Sequence, residues 1–250
     1  NTSPQYSSWR RPRAVILVIF GVAIALVLST LSSWPQFFLA SNLTSKTPAA
    51  IAQPSPKPPF PEELRGVWLT NIDSGVLFSP SEVSHGVERL ANLNFNTIYP
   101  TVWNWGYTLY PSAIAQDAIG EAIDPHSGLQ GRDPLQELVD EAHSEGLTIM
   151  PWFEFGLMTP SYSELARRHP DWLNQRQDGT SVVMQGRHPR VWLNPLKPEV
   201  QDLLAGLIAE VVRNYDVDGI QLDDHFGMPV ELGYDPYTVE QYRLTHNGQA

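Results

Sequence analysis

The chain has 250 residues, a formal net charge of −11 and no cysteine. The lack of cysteine excludes disulfides, thiolate metal ligands, a cysteine nucleophile and a cysteine-linked lipid anchor. A surface this acidic argues against nucleic acid or anionic lipid as the partner. From residue 62 onward, mixed charges and many aromatics indicate one globular domain with a sizeable core.

An apolar segment follows a short basic N-terminus. Residues 1–13 carry Arg10, Arg11 and Arg13, and residues 14–33 read AVILVIFGVAIALVLSTLSS without a charge. About 20 residues, at roughly 1.5 Å each, span a hydrocarbon core of about 30 Å. The positive-inside rule keeps the basic residues in the cytoplasm and predicts export of the rest. We therefore expect a membrane partner for this segment. A buried core helix is disfavoured because the segment is apolar on every face.

The segment is either a transmembrane anchor or a cleaved signal. Ala50-Ile51-Ala52 has the small-x-small form of a cleavage site, but it lies far beyond the apolar run. This distance favours an uncleaved anchor. Residues 34–61 are rich in Pro, Ser and Thr, which predicts an extended linker. The globular part is then extracytoplasmic, in the periplasm or the cell envelope.

Strands and helices alternate in the globular part. Strands are predicted over residues 64–71, 95–103, 147–155 and 217–223. Helices are predicted to begin after Ser79, after Asp133, near Pro198 and after Asp235, with a short helix over 162–168 inside a long insertion. Ser or Asp directly before proline is a helix start signal, because the side chain caps the helix and proline tolerates its first position.

This strict alternation predicts an α/β fold with parallel strands. An open doubly wound sheet is one alternative. However, no glycine-rich phosphate loop follows the first strand, and the loops after the later strands are long and aromatic. Both features favour a (β/α)₈ TIM-type barrel. Such a barrel needs about 250 residues, so residues 62–250 are predicted to be its N-terminal part, with four βα units and strands five to eight missing.

Two carboxylates are predicted to meet at the C-terminal rim of the strands. Side chains alternate along a strand, so Ile220 and Leu222 face the helices while Asp223 faces the barrel axis. The same argument places Trp152 and Glu154 inward on the preceding strand. Inward carboxylates in barrels also serve as structural ion-pair partners, which is the alternative for both residues.

The pair is suited to glycoside hydrolysis, and four tryptophans surround it. Cleaving an acetal requires one carboxylic acid to protonate the leaving oxygen and one carboxylate as nucleophile or base. Indole rings stack on the apolar faces of sugars. Each tryptophan is a candidate for the groove or for the core: Trp68, Trp103, Trp105 and Trp152.

Other chemistries find less support in the sequence. Asp223, Asp224 and His225 are consecutive, and neighbouring side chains of an extended chain point in opposite directions, which disfavours one shared metal ion. No G-x-S-x-G motif for a serine nucleophile is present. We expect no metal and no cofactor.

Four blocks together resemble the glycosyl-hydrolase-like 10 family of bacterial cell-envelope proteins. They are ELRGVWLTN at 63–71, MPWFEF at 150–155, VWLNP at 191–195 followed by Pro198-Glu199-Val200, and VDGIQLDDHF at 217–226. The resemblance implies a (β/α)₈ barrel, an extracytoplasmic location and hydrolysis of a glycan, with peptidoglycan as the candidate polysaccharide.

The resemblance also implies roles for single residues. Asp223 and Asp224 match the paired aspartates of the family at the fourth strand, and Asn71, Glu154 and Asn194 match positions that line the same mouth. His225 is a departure, because many relatives carry tyrosine there, and it is a candidate substrate-binding residue.

The leading hypothesis is a glycoside hydrolase with Asp223 as nucleophile or base. Glu154, or a carboxylate on a missing strand, is its general acid. A non-catalytic glycan-binding or scaffold protein of the cell envelope is the main alternative. A metal-dependent deacetylase is a third hypothesis, which a chelator would test.

Overall fold

The computed structural model describes residues 57–248, and the predicted membrane segment 14–33 lies outside them. Ten strands are present: β1 (Gly66–Leu69), β2 (Thr97–Pro100), β3 (Trp103–Asn104), β4 (Tyr107–Thr108), β5 (Thr148–Ile149), β6 (Trp152–Phe153), β7 (Met158–Pro160), β8 (Val183–Gln185), β9 (His188–Trp192) and β10 (Gln221–Leu222). The helices are α1 (Pro80–Asn92), α2 (Ala113–Ile119), α3 (Pro134–Ser144), α4 (Glu164–Arg168), α5 (Pro198–Asn214) and α6 (Pro236–Thr245). Within this part of the chain, no helix is both long and apolar enough to cross a membrane.

The central sheet is parallel and follows the order of the chain. β1 pairs with β2, β2 pairs with β5, and β6 pairs with β10. A parallel bridge between Thr101 and Trp152 joins β2 to β6. The crossovers contain α1, α3 and α5. The predicted α/β class is therefore confirmed.

The third predicted strand, 147–155, is divided into β5 and β6. The interruption falls at Met150 and Pro151. Proline has no N–H to donate to a ladder, so pairing stops there and resumes at Trp152. The Pro151 carbonyl still accepts a hydrogen bond from Gln221 N at 2.9 Å, which carries the chain across to β10.

The predicted helix starts are confirmed. Ser79 Oγ accepts a hydrogen bond from Glu82 N at 3.1 Å, and Asp133 Oδ1 accepts one from Gln136 N at 3.1 Å. Asp235 caps α6 in the same way. These caps satisfy backbone N–H groups that have no partner within the helix.

One face of the sheet packs against the crossover helices and forms the core. Ile98, Ile149 and Phe153 are fully buried there. They belong to a single apolar cluster with the stripes of α1, α3 and α5: Val83, Val87, Leu135, Leu138, Val139, Leu203, Leu207 and Val211. Ile220 packs against this cluster as predicted. Leu222 pairs with the buried Phe153 and shares its face, but it is 46% exposed because β10 is an edge strand of the described sheet.

The long insertions hold antiparallel structure that the sequence did not indicate. β3 and β4 form a tight hairpin after β2. β7, β9 and β8 form a three-stranded antiparallel sheet after β6, where only α4 was predicted. These additions stand at the C-terminal ends of the parallel strands, where they enclose the candidate site.

A polar cluster closes the opposite end of the strands. The carboxylate of Asp218, which precedes β10, accepts a hydrogen bond from Ile149 N at 2.8 Å and contacts His143 Nε2 at 3.2 Å. Lys57 Nζ lies 3.4 Å from Asp218 and 3.0 Å from Asp216. The chain before β1 is thus attached to the base of β10.

Candidate active site

Asp223 and Glu154 lie together at the C-terminal ends of neighbouring parallel strands. Asp223 directly follows β10, and Glu154 directly follows β6. The two strands pair directly, and His225 Nδ1 lies 2.9 Å from the Glu154 carbonyl oxygen and 3.6 Å from Asp223 Oδ1. The structure therefore brings together the two residues on which the hydrolase hypothesis depends.

The carboxylate of Asp223 is held by two donors. Trp152 Nε1 donates to Oδ2 at 2.8 Å, and the backbone N–H of His225 donates to Oδ1 at 3.2 Å. Asp223 is the acceptor in both bonds, and the side chain is only partly buried. An oriented acceptor that reaches solvent is the arrangement required of a nucleophile or base.

Glu154 is more enclosed and has a different set of partners. The residue is 9% exposed, and its Oε2 accepts hydrogen bonds from Thr101 Oγ1 at 3.0 Å and Asn104 Nδ2 at 2.9 Å. Burial raises the pKa of Glu154 above its ordinary value, and the charge of Asp223 adds to this effect. The Thr101 hydrogen bond and His225 act in the opposite direction. A carboxyl group with a raised pKa is suited to donating a proton.

His225 bridges the two carboxyl residues. Its Nδ1 lies 2.9 Å from the backbone carbonyl oxygen of Glu154 and 3.6 Å from Asp223 Oδ1. The ring also lies against Phe155, with centroids 5.7 Å apart. The predicted position of His225 beside the carboxyl groups is therefore observed. The side chain of Asp224 lies outside the described part of the structure, and its role stays a prediction.

Two of the four tryptophans form an aromatic surface beside the carboxyl groups. Trp68 is 53% exposed and stacks on Tyr99 with ring centroids 5.3 Å apart. Trp152 meets Trp68 edge-on at 6.3 Å and also bonds Asp223. An exposed indole supported from beneath by a second ring is the surface on which a sugar ring stacks.

Trp103 and Asn194 are both enclosed, and Trp103 takes the core alternative that the sequence left open for each tryptophan. Trp103 is 0% exposed, and its indole N–H donates to the Gly156 carbonyl oxygen at 3.0 Å inside the core. Asn194 is also fully buried, and its Nδ2 donates to Asp235 and Thr238 at the start of α6. These hydrogen bonds hold the surrounding loops in place, and contact of either side chain with a ligand stays a prediction.

Asn71 and Trp105 line a cleft next to the carboxyl pair. The cleft has a volume of about 330 Å³, and its lining residues are Asn71, Ile72, Phe78, Trp105, Tyr107, Asp124 and His126. Neither Glu154 nor Asp223 lines this cleft. It is connected to them through Asn71 Oδ1, which accepts a hydrogen bond at 2.7 Å from the same Asn104 Nδ2 that bonds Glu154.

Sequence reasoning missed Thr101, Asn104 and Tyr99. Tyr99 and Thr101 alternate on the inner side of the second predicted strand, so the rule that located Glu154 could have found them. Asn104 could not be found in this way, because its position depends on the β3–β4 hairpin. Among residues 57–248, no group of three or more His, Cys, Asp or Glu is arranged to hold a metal ion.

A parallel α/β sheet with two carboxyl groups and an aromatic surface around the exposed Trp68 at its C-terminal edge defines a glycoside-hydrolase-like protein. Comparison with known families agrees with this class, since residues 63–250 match the Glycosyl hydrolase-like 10 family. The chain belongs to that family, which confirms the resemblance read from its four sequence blocks.

Curated relatives carry hydrolase names. Glycosyl hydrolase DigH of Escherichia coli K12 is 30% identical, over 82% of this chain and 50% of the relative. Glycosyl hydrolase YngK of Bacillus subtilis is 28% identical, over 66% of this chain and 33% of the relative. The chain thus spans about half the length of the first of these relatives and a third of the second.

A solved structure supports the fold alone. A hypothetical protein from Ruminiclostridium thermocellum superposes with a TM-score of 0.53 at 17% identity. The match covers 74% of this chain and 93% of that chain.

Proposed function

We propose that this protein is a glycoside hydrolase that cleaves an extracytoplasmic glycan, with peptidoglycan as the candidate substrate. The observation that carries the proposal is the pairing of two carboxyl groups in unlike surroundings at one edge of the sheet. Asp223 is oriented by two donors, while Glu154 is buried and has a raised pKa. Family membership and the relatives' names support the same class.

In this mechanism Glu154 is the general acid. Both of its hydrogen-bond donors reach Oε2, so the proton is carried on Oε1 and is delivered to the glycosidic oxygen. Asp223 attacks the anomeric carbon or activates a water molecule there. A carboxylate on a later strand is the alternative acid, and Glu154 then positions Asn104 and the cleft.

The aromatic surface supplies the binding part of the function. Trp68 and Trp152 provide a stacking face for the sugar next to Asp223. The same surface favours a second candidate function, that of a non-catalytic glycan-binding or scaffold protein of the envelope. Such a protein would use the tryptophans without needing either carboxyl group.

The proposal includes a (β/α)₈ barrel and an envelope location. Four parallel strands in chain order, with a helix in each crossover, are the arrangement of consecutive barrel units. The apolar residues 14–33 with a basic flank on one side support export and attachment to a membrane.

The test uses purified intact protein on peptidoglycan and on its peptide-free glycan strands, scored by new reducing ends. Asp223→Asn is compared with Asp117→Asn, which makes the same change at an exposed position on α2. Release by wild type and Asp117→Asn, with none by Asp223→Asn, supports the hydrolase. Full activity of Asp223→Asn rejects the assigned residue. Retained binding without any release by wild type supports the binding protein instead.

A further inference from the structure

Arg190 is a buried cation without a counter-charge. It lies on β9 between β7 and β8 and is 6% exposed. Its guanidinium lies over the rings of Trp105 and Phe155, 5.2 and 5.0 Å from their centroids. None of the carboxylates whose side chains the structure describes forms an ion pair with it. Enclosing an unpaired charge is unfavourable, and burial lowers the pKa of Arg190 from its ordinary value.

A second unmatched donor lies against the first. Arg190 Nε and Nη1 and the indole Nε1 of Trp105 are enclosed, and no described residue accepts a hydrogen bond from them. The third guanidinium nitrogen, Nη2, is not enclosed in this way and marks the side open to a ligand. The neighbouring Asn104 Oδ1 is a further enclosed atom without a described partner, and it is an acceptor. Buried polar groups are nearly always paired, so the unmatched donors of Arg190 and Trp105 indicate a missing acceptor.

The backbone holds Trp105 in this position at a cost. Trp105 and Gly106 form the two-residue turn of the β3–β4 hairpin, with φ values of +57° and +81°. Such turns favour asparagine or glycine, because a bulky side chain is strained in the left-handed region. Strain of this kind costs on the order of 1–3 kcal/mol and is concentrated at functional sites.

The donor cluster lies beside the carboxyl pair. Phe155, which supports Arg190, follows Glu154 directly and contacts the ring of His225. Trp105 also lines the cleft that contains Asn71. Arg190 therefore contacts one residue that lines the cleft, Trp105, and one that adjoins Glu154, Phe155.

We propose that Arg190 and Trp105 bind a carboxylate carried by a sugar next to the one that is cleaved, so that the substrate is an acidic glycan. The inference rests on the proposed function and adds its substrate class. A guanidinium donates charge-assisted hydrogen bonds to carboxylate oxygens, and Nη2 is the nitrogen through which Arg190 makes this contact. The flanking rings of Trp105 and Phe155 favour this flat group over a tetrahedral sulfate or phosphate.

The net charge of the protein opposes the binding of an acidic glycan. With a net charge of −11, the chain repels an acidic glycan at long range. Without a dedicated cation in the groove, neutral strands would bind more tightly than acidic ones. A preference for the acidic form therefore requires a local contact of the kind that Arg190 provides.

The test compares binding of peptide-free peptidoglycan strands, which carry a free carboxylate on alternate sugars, with the same strands after methyl esterification. The intact protein is used as wild type, Arg190→Gln and Arg187→Gln. Arg187 is the matched control, since it is exposed on the same β8–β9 hairpin. Wild type and Arg187→Gln are expected to bind the acidic strands about 10- to 100-fold more tightly, the range of one charge-assisted contact. Arg190→Gln is expected to lose or reverse this preference.

Other outcomes separate this inference from the proposed function. An unchanged preference in Arg190→Gln overturns the inference, as does tighter wild-type binding of a sulfated chitooligosaccharide than of the acidic strands. Hydrolysis of acidic and esterified strands at equal rates leaves the function standing and removes the inference. If the preference for acidic strands depends on Arg190 but wild type releases no reducing ends, the inference stands and the proposed hydrolase function is rejected. Should Arg190→Gln fail to fold by near-ultraviolet circular dichroism, Arg190→Lys keeps the charge without the planar fork and is expected to weaken the preference.

Discussion

Replacing Trp152 by phenylalanine isolates one contact of the candidate nucleophile. The substitution keeps an aromatic ring beside Trp68 but removes the indole N–H that donates to Asp223 at 2.8 Å. A hydrogen bond to a charged group contributes about 1.5–3 kcal/mol. With about 1.4 kcal/mol for each factor of ten, loss of this bond in the transition state lowers kcat/KM by roughly 10- to 150-fold. Part of the stacking energy on sugar is lost as well, which raises KM.

The assay is reducing-end release from peptide-free glycan strands, with kcat and KM determined separately. Trp172→Phe is the matched control, because the indole of Trp172 stacks on His169 and bonds neither carboxyl group. We expect the control to keep wild-type kcat, and Trp152→Phe to lose mainly kcat. Equal kcat values for the two variants would refute the view that Trp152 orients a catalytic Asp223. A change confined to KM would indicate that Trp152 stacks on the sugar and does not orient Asp223.

Two further predictions concern stability. Because burial raises the pKa of Glu154, the stabilising proton is fully bound below the ordinary pKa near 4.5 and is lost as pH rises through the raised value. As pH rises through this window, the Tm of Glu154→Gln should therefore increase relative to that of wild type, and above the window the difference between the two Tm values should stay constant. Thermal melts from pH 4 to 8 in which this difference is the same at every pH would contradict the assignment. Gly156→Ala places a methyl group 2.9 Å from the His225 carbonyl, whereas Gly186→Ala, at a similar positive φ, meets nothing within 4 Å. Gly156→Ala should lower the unfolding free energy by about 1–3 kcal/mol more than Gly186→Ala does, and it should lower glycan cleavage as well. Equal Tm values for the two alanine variants would show that the His225 loop moves to accept the methyl group without loss of stability.

Local signals predicted the helices and the neighbouring positions of Glu154 and Asp223. Ser79, Asp133 and Asp235 cap helices because a cap needs only residues adjacent in the chain. Strand alternation likewise placed Glu154 and Asp223 at one rim, since parallel strands end at the same edge. Both rules depend on short-range geometry, which a sequence encodes directly.

Residues whose surroundings come from distant segments could not be placed in the same way. Trp103 is buried because the hairpin after β2 turns it toward the Gly156 carbonyl, and no local pattern specifies that contact. Asn194 is buried because α6 begins against it. Arg190 was overlooked because the observation that matters is its lack of a described ion-pair partner. That observation requires its three-dimensional neighbours to be known.

The attachment of Lys57 to the base of β10 gives the domain a fixed direction. Lys57 contacts Asp216 and Asp218 at the N-terminal ends of the strands, whereas Asp223 lies at their C-terminal ends. A force applied to the chain at Lys57 therefore acts on the N-terminal ends of the strands. The opposite edge, where Asp223 and Glu154 lie, is not loaded directly by such a force.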